Sequence, residues 1–277
     1  MPESVRRDSW ARGAAWGVCL VGLLVLPAAH ADCMNETHPM TELDLAAVLR
    51  GEVPLEGHYH FQNGEVREEG GLRFLRVRYP RGSIDPGGVA RHDTPAGGIG
   101  FRWRLPGPGA DCQVLRYRLR FAPGFDFVRG GKLPGLGGGA GNTGGHIPNG
   151  RDGFSARLMW RQGGAGELYA YLPESETWGS SIGRGRWHFE PGRWISVEER
   201  LRLNTLGQAD GEVRILIDGA EVLHAEGLHF RDVATLKADL LLFETFFGGN
   251  TADWAPPADT WVDFAGVAVG AGNVPEQ

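Results

Sequence analysis

Apolar and polar side chains alternate along two neighbouring stretches near the middle of the chain. Phe154, Ala156, Leu158 and Trp160 fall on one parity, with Ser155, Arg157 and Arg161 on the other. After Gln162-Gly163-Gly164-Ala165-Gly166, Leu168, Ala170 and Leu172 take the apolar parity and Glu167, Tyr169 and Tyr171 the polar one. Alternation with period two marks a strand buried on one face. The five-residue glycine turn predicts a hairpin with Arg157 roughly across from Tyr171 and Met159 from Tyr169. The open face then gathers a guanidinium, a hydroxyl and two phenols, where an ordinary solvated face carries Lys, Glu and Thr.

Similar runs predict strands over 72–79, 98–105, 114–121, 194–203, 212–217, 221–224, 239–247 and 260–269, with Asp218-Gly219 as a hairpin turn. One helix is expected over 41–49, capped by Thr41, with Leu43, Leu45, Ala46 and Leu49 as its apolar stripe. Many short strands with little helix predict an all-β fold, a β-sandwich jelly roll of antiparallel sheets with a short N-terminal helix. No repeat or linker is visible, so a single domain is expected over 32–277. Residues 130–150 are glycine-rich. Because Lys132-Leu133-Pro134-Gly135-Leu136 sits inside them, they read as an ordered loop lining a groove.

The N-terminus changes the expected setting. Arg6, Arg7 and Arg12 precede an apolar stretch from Ala14 to Leu26, and Ala29-His30-Ala31 fits a cleavage site. Residues 1–31 are therefore read as a signal peptide, and the mature protein as secreted or periplasmic, without a membrane anchor. Export favours a disulfide between Cys33 and Cys112. The formal charge is −6, and loss of residues 1–31 makes the mature chain more negative still, which argues against nucleic-acid binding. An acidic partner must then meet a local basic groove. No metal is expected: there is no His-x-x-x-His pair, no Cys pair at ligand spacing and no acidic calcium loop.

Gly130-Gly131-Lys132-Leu133-Pro134-Gly135-Leu136, the Ser155-x-Arg157 strand and the Tyr169-x-Tyr171 strand occur in that order. Tyr79-Pro80-Arg81-Gly82-Ser83 precedes them, and Phe246-Phe247-Gly248-Gly249 and Trp254-Ala255-Pro256-Pro257 follow. Together these motifs resemble polysaccharide lyase family 14, the alginate and glucuronan lyases of the jelly-roll type, over roughly residues 70–269. The resemblance implies β-elimination on a polyuronate without metal or organic cofactor. It also implies functional roles for Lys132, Ser155, Arg157, Tyr169 and Tyr171. The stretch between Gly137 and Gly150 departs from the family pattern and matches no particular substrate preference.

Such an elimination removes the proton on C5 of a uronate and expels the 4-linked sugar. Strong donors must draw charge from the neighbouring carboxylate. Arg157 can contact a carboxylate bidentately and Lys132 can add a point charge. A free Tyr, with a pKa near ~10, is a poor base, so a cationic neighbourhood that favours the phenolate is expected. Tyr171 is the favoured proton-transfer residue, although Tyr169 and desolvated Lys132 are alternatives that the residues leave open. Ser155, Arg161 and His146 are expected to contact substrate, and the protein is expected to act as a monomer on an acidic polysaccharide. A non-catalytic module that binds acidic polysaccharide is the competing reading. A glycoside hydrolase is disfavoured, because the strand pattern Glu-x-Asp-x-x-Glu is missing.

Overall fold

The parity of the apolar residues decides which side of each strand is buried. The structure, a computed structural model, describes Met34 and residues 39–271. Two antiparallel sheets stack around one apolar core. The larger runs, edge to edge, Ala220–Leu228, Gly211–Ile217, Ile195–Arg202, Cys112–Phe121, Thr260–Ala271, Leu72–Tyr79 and Gly64–Glu69. Thr41–Glu42 also pairs with Thr260–Ala271. The smaller runs Ser180–Ile182, Gly166–Tyr171, Gly153–Arg161, Gly130–Gly139, Leu240–Phe247, Ile99–Arg104 and Gly57–Tyr59. This is the all-β jelly roll expected from the alternation.

Phe154, Ala156, Leu158 and Trp160 are fully buried against residues of the facing sheet such as Leu115, Leu119 and Phe121. Trp160 packs edge-on against Phe121 at 5.7 Å and Phe247 at 5.4 Å between ring centroids. Burial of each such large side chain contributes roughly 1.5–3 kcal/mol. This packing makes the smaller sheet a rigid platform, and its outer face carries the chemistry.

Three expectations need correction. The helix is only Leu45–Leu49, and its cap is Asp44: Asp44 Oδ1 accepts from the N–H of Ala46 at 2.8 Å and of Ala47 at 3.2 Å. Thr41 belongs to a strand instead. The glycine-rich segment is not a loop from its start, because Gly130–Gly139 is an interior strand. Its neighbours approach too closely for side chains: a Cβ on Gly135 would stand 2.2 Å from the Ala156 carbonyl oxygen. Finally, the central hairpin pairs Arg157 with Tyr169 and Ser155 with Tyr171, two residues from the expected register. Gly163 and Gly164 adopt positive φ, and the Arg161 N–H donates to the Ala165 carbonyl at 2.7 Å, so the turn closes before Gly166. An even slip preserves the faces, so every side chain points where its parity put it.

The expected signal peptide over 1–31 and Cys33 lie outside the described residues. Cys112 is disulfide-bonded. No helix among the described residues is long and apolar enough to cross a membrane.

Candidate active site

The outward face of the smaller sheet forms the floor of a groove of about 790 Å3. Lys132, Arg157, Met159, Arg161, Tyr169, Tyr171 and Glu244 line it together. They come from four adjacent strands, which is why they are scattered in sequence and close in space. The walls are the loop at Asp85–Gly87 with Arg91, Thr143 and Gly144, Trp178, and the segment from Gly249 to Trp254.

Charge inside the groove is neutralised in pairs, with one exception. Arg157 is 2% exposed and forms an ion pair through Nη1 with Glu244. Its Nε is buried without a partner among the described residues. Arg102 Nε lies 3.7 Å from the other Glu244 oxygen. Arg161 Nε donates to Glu167 at 2.7 Å, and this fully buried carboxylate also accepts from Ser181 and Arg184. Together these donors outweigh burial and hold the Glu167 carboxyl below its usual range.

Lys132 is the exception. Among the described residues its amine reaches only the Met159 thioether, at 3.0 Å, and the face of the Tyr169 ring, 4.2 Å from the centroid. Neither supplies a formal negative charge. Desolvation of the amine, reinforced by Arg157 and Arg161, pushes its pKa well below the usual lysine value. The residue as a whole is partly exposed. The amine end is nevertheless enclosed by these neighbours, so the direction follows from its surroundings rather than from the exposed stem.

Tyr169 behaves differently from expectation. Its pKa is raised to about 12, first by burial and then by the neighbouring Tyr171 hydroxyl, and the nearby arginines oppose this without reversing it. Its ring meets Tyr171 edge-on at 5.8 Å. Tyr171 is 2% exposed and its oxygen accepts the Gly145 N–H at 3.0 Å, tying the 140–150 loop to the floor. Protonated Tyr169 beside an amine with a depressed pKa makes an acid and base pair within one groove.

The structure thus brings Lys132, Arg157, Arg161, Tyr169 and Tyr171 together. It does not bring Ser155 or His146 to the groove. Ser155 is fully buried and donates to the Asn142 carbonyl at 2.6 Å, so its hydroxyl anchors the loop instead of meeting substrate. His146 is exposed and absent from the lining. Sequence reasoning left out Glu244 and missed Tyr59. The Tyr59 ring lies over Gly100, where a Cβ would stand 2.2 Å from it, and its buried hydroxyl has no partner among the described residues. An isolated His58-Tyr59-His60 run was the available signal, with no visible strand to place it. Elsewhere, Glu212, His224 and Glu226 have ligand-type atoms within 4.8 Å of one another. None of the three lines the groove, and Glu212 is also paired with Arg202.

Comparison with known proteins adds to this geometry. The family model for Polysaccharide lyase 14 matches residues 67–267. The crystal structure of a marine PL-14 alginate lyase from Aplysia kurodai superposes with a TM-score of 0.74 at 29% identity, covering 87% of this chain and 100% of that one. The alginate lyase vAL-1 from a Chlorella virus gives a TM-score of 0.71 at 22% identity, covering 83% and 98%. An endo-beta-1,4-glucuronan lyase from the fungus Trichoderma reesei gives 0.55 at 13%, covering 85% and 96%. The last two likenesses, at such low identity, speak to the fold alone. No functionally curated protein matches the sequence.

Proposed function

The chain belongs to polysaccharide lyase family 14 and is a polysaccharide lyase, and from that premise we propose that it cleaves a 4-linked polyuronate, alginate foremost, by β-elimination after export as a single-domain protein with its leader removed. The observation that carries this reading is the Lys132 amine, its pKa pushed down by desolvation, set against the Tyr169 ring in a groove whose other cations are paired. The likeness to the Aplysia kurodai alginate lyase supports alginate before glucuronan.

In this reading the uronate carboxylate settles against Arg157 and Arg161, whose field stabilises the charge that develops as C5 is deprotonated. The Lys132 amine takes the C5 proton. The electron pair left behind forms the C4–C5 double bond and the C4–O4 bond breaks. Tyr169, held protonated by its raised pKa, donates its proton to the departing O4. Tyr171 fixes the 140–150 loop over the reacting sugar. Trp178 and Trp254 give flat apolar faces for flanking sugar rings.

The test is ultraviolet absorbance of the conjugated unsaturated uronate, followed on polymannuronate, polyguluronate and polyglucuronate, with product masses. Wild-type protein that releases no unsaturated product from any of the three would overturn the reading. Binding without cleavage would point instead to a polysaccharide-binding module.

A further inference from the structure

Behind the groove floor, the core holds two polar side chains that this chemistry does not use. Glu199 stands on the Ile195–Arg202 strand between inward-facing Val197 and Leu201. It is fully buried and has no ion-pair partner among the described residues. Its two oxygens accept the Leu136 N–H at 3.3 and 3.5 Å. Tyr117 lies on the neighbouring strand across from Val197, is also buried, and donates to the Pro134 carbonyl at 3.3 Å.

Pro134 and Leu136 belong to the opposite sheet, at the place where Gly130–Gly139 loses register with both neighbours. Lys132 pairs with Met159 and Gly135 with Arg157, so Leu133 and Pro134 together face Leu158 alone. On the other side the pairing shifts between Leu242 and Phe246. A bulge takes backbone groups out of the ladder. Here a carbonyl and an N–H turn across the core to Tyr117 and Glu199. The residue that opens the bulge is Lys132.

We propose that Glu199 and Tyr117 form a brace through the core that holds the bulge at 133–136 and, through it, the Lys132 amine against Met159 and Tyr169. Glu199 is then a positioning residue for the elimination, an inference that rests on the lyase reading and deepens it. Burial drives the Glu199 carboxyl well above its ordinary 4.5, opposed only by the Leu136 N–H, so its neutral form is favoured. A polar group at this depth is unfavourable unless it bonds something, and the backbone it bonds is the bulge. Displacement of a reacting group by about 1 Å can reduce turnover about 100-fold, so a brace outside the groove can control the rate without touching substrate.

The experiment compares Glu199→Gln, Glu199→Leu and Tyr117→Phe. The amide of Glu199→Gln reproduces a neutral acceptor in the same shape, so kcat stays within about twofold of wild type. Glu199→Leu removes the brace, and kcat falls about 10- to 100-fold with KM within about twofold. Tyr117→Phe lowers kcat several-fold, again at constant KM. Hydrogen exchange of the 132–136 amides, read by mass spectrometry, rises at least about tenfold in Glu199→Leu and stays at the wild-type rate in Glu199→Gln. Exchange does not depend on turnover, so it tests the brace even if wild-type protein proves inactive on every polyuronate. Folded Glu199→Leu with wild-type kcat or wild-type exchange overturns the proposal. Should Glu199→Leu fail to fold, wild-type kcat and exchange in Tyr117→Phe overturn it equally.

Discussion

Replacing Glu244 by Ala should strand a buried cation. Arg157 is 2% exposed, and its ion-pair partner is Glu244. Arg102, the other guanidinium near that carboxylate, is 3.7 Å away and its side chain is 30% exposed, so water can solvate it after the loss. Breaking a buried pair by removing one member destabilises by about 3–5 kcal/mol, because the remaining charge stays desolvated. For a domain of this size each kcal/mol moves Tm by roughly 2–4 °C, so a fall of about 6–20 °C is expected. The double variant Arg157→Met/Glu244→Leu should recover most of that loss, since an apolar pair of similar volume is often as stable as the ionic one. The decisive assay is urea unfolding of wild type, Arg157→Met, Glu244→Leu and the double variant, which yields the coupling energy directly, with Glu244→Ala measured beside them. Saturating polyuronate should raise the Tm of Glu244→Ala more than that of wild type, because a substrate carboxylate supplies the missing anion. A Glu244→Ala loss below about 1 kcal/mol would place the pair with exposed salt bridges and refute the reasoning.

Other outcomes follow from the same geometry. Lys132→Met should leave Tm nearly unchanged and reduce kcat by about 100- to 1000-fold, the scale of losing one group that acts in the transition state. Because the Lys132 pKa is depressed, its amine is neutral at pH values where an ordinary lysine is charged. Wild-type kcat/KM should therefore rise with pH through that lowered value and then level off, and an activity that falls over this limb would exclude Lys132 as the base. The folded pKa of Glu199 is raised, so its stabilising balance is present below about 4.5 and is lost as pH rises above it. Glu199→Gln should consequently gain on wild type in urea midpoint between pH 5 and pH 8, and equal midpoints at both would contradict a neutral buried carboxyl. Ser155→Ala should lose about 1 kcal/mol and raise KM more than it lowers kcat, because the hydroxyl holds the Asn142 carbonyl and hence the loop.

Much of the fold was legible because burial on one face writes itself into parity. The runs at 72–79 and 260–269 were visible for that reason, and each became a strand. Gly64–Glu69 was not, since it lies near the edge of its sheet with mostly exposed Glu and Arg and leaves no apolar rhythm. Gly130–Gly139 was misread because glycines carry no side chain with which to alternate, and the crowding that demands them belongs to Ala156 and other residues distant in sequence. In the groove, Arg157, Tyr169 and Tyr171 were legible from parity and residue type, and Lys132 from the family resemblance. Their electrostatics were not: enclosure by protein, which no spacing reveals, raised Tyr169 and lowered Lys132. Ser155 has the right parity for the open face, yet a loop covers it there.

The glycine strand at the centre of the platform also limits how such an enzyme can diversify. Any side chain added at Gly135 collides with the adjacent main chain, so new preferences among epimeric sugars cannot arise by decorating that part of the floor. Variation is confined to the rim, where the segments around Asp85, Trp178 and Asn250 project into the groove. Directed evolution toward another uronan should accordingly accumulate its useful changes there and leave the 130–139 stretch untouched.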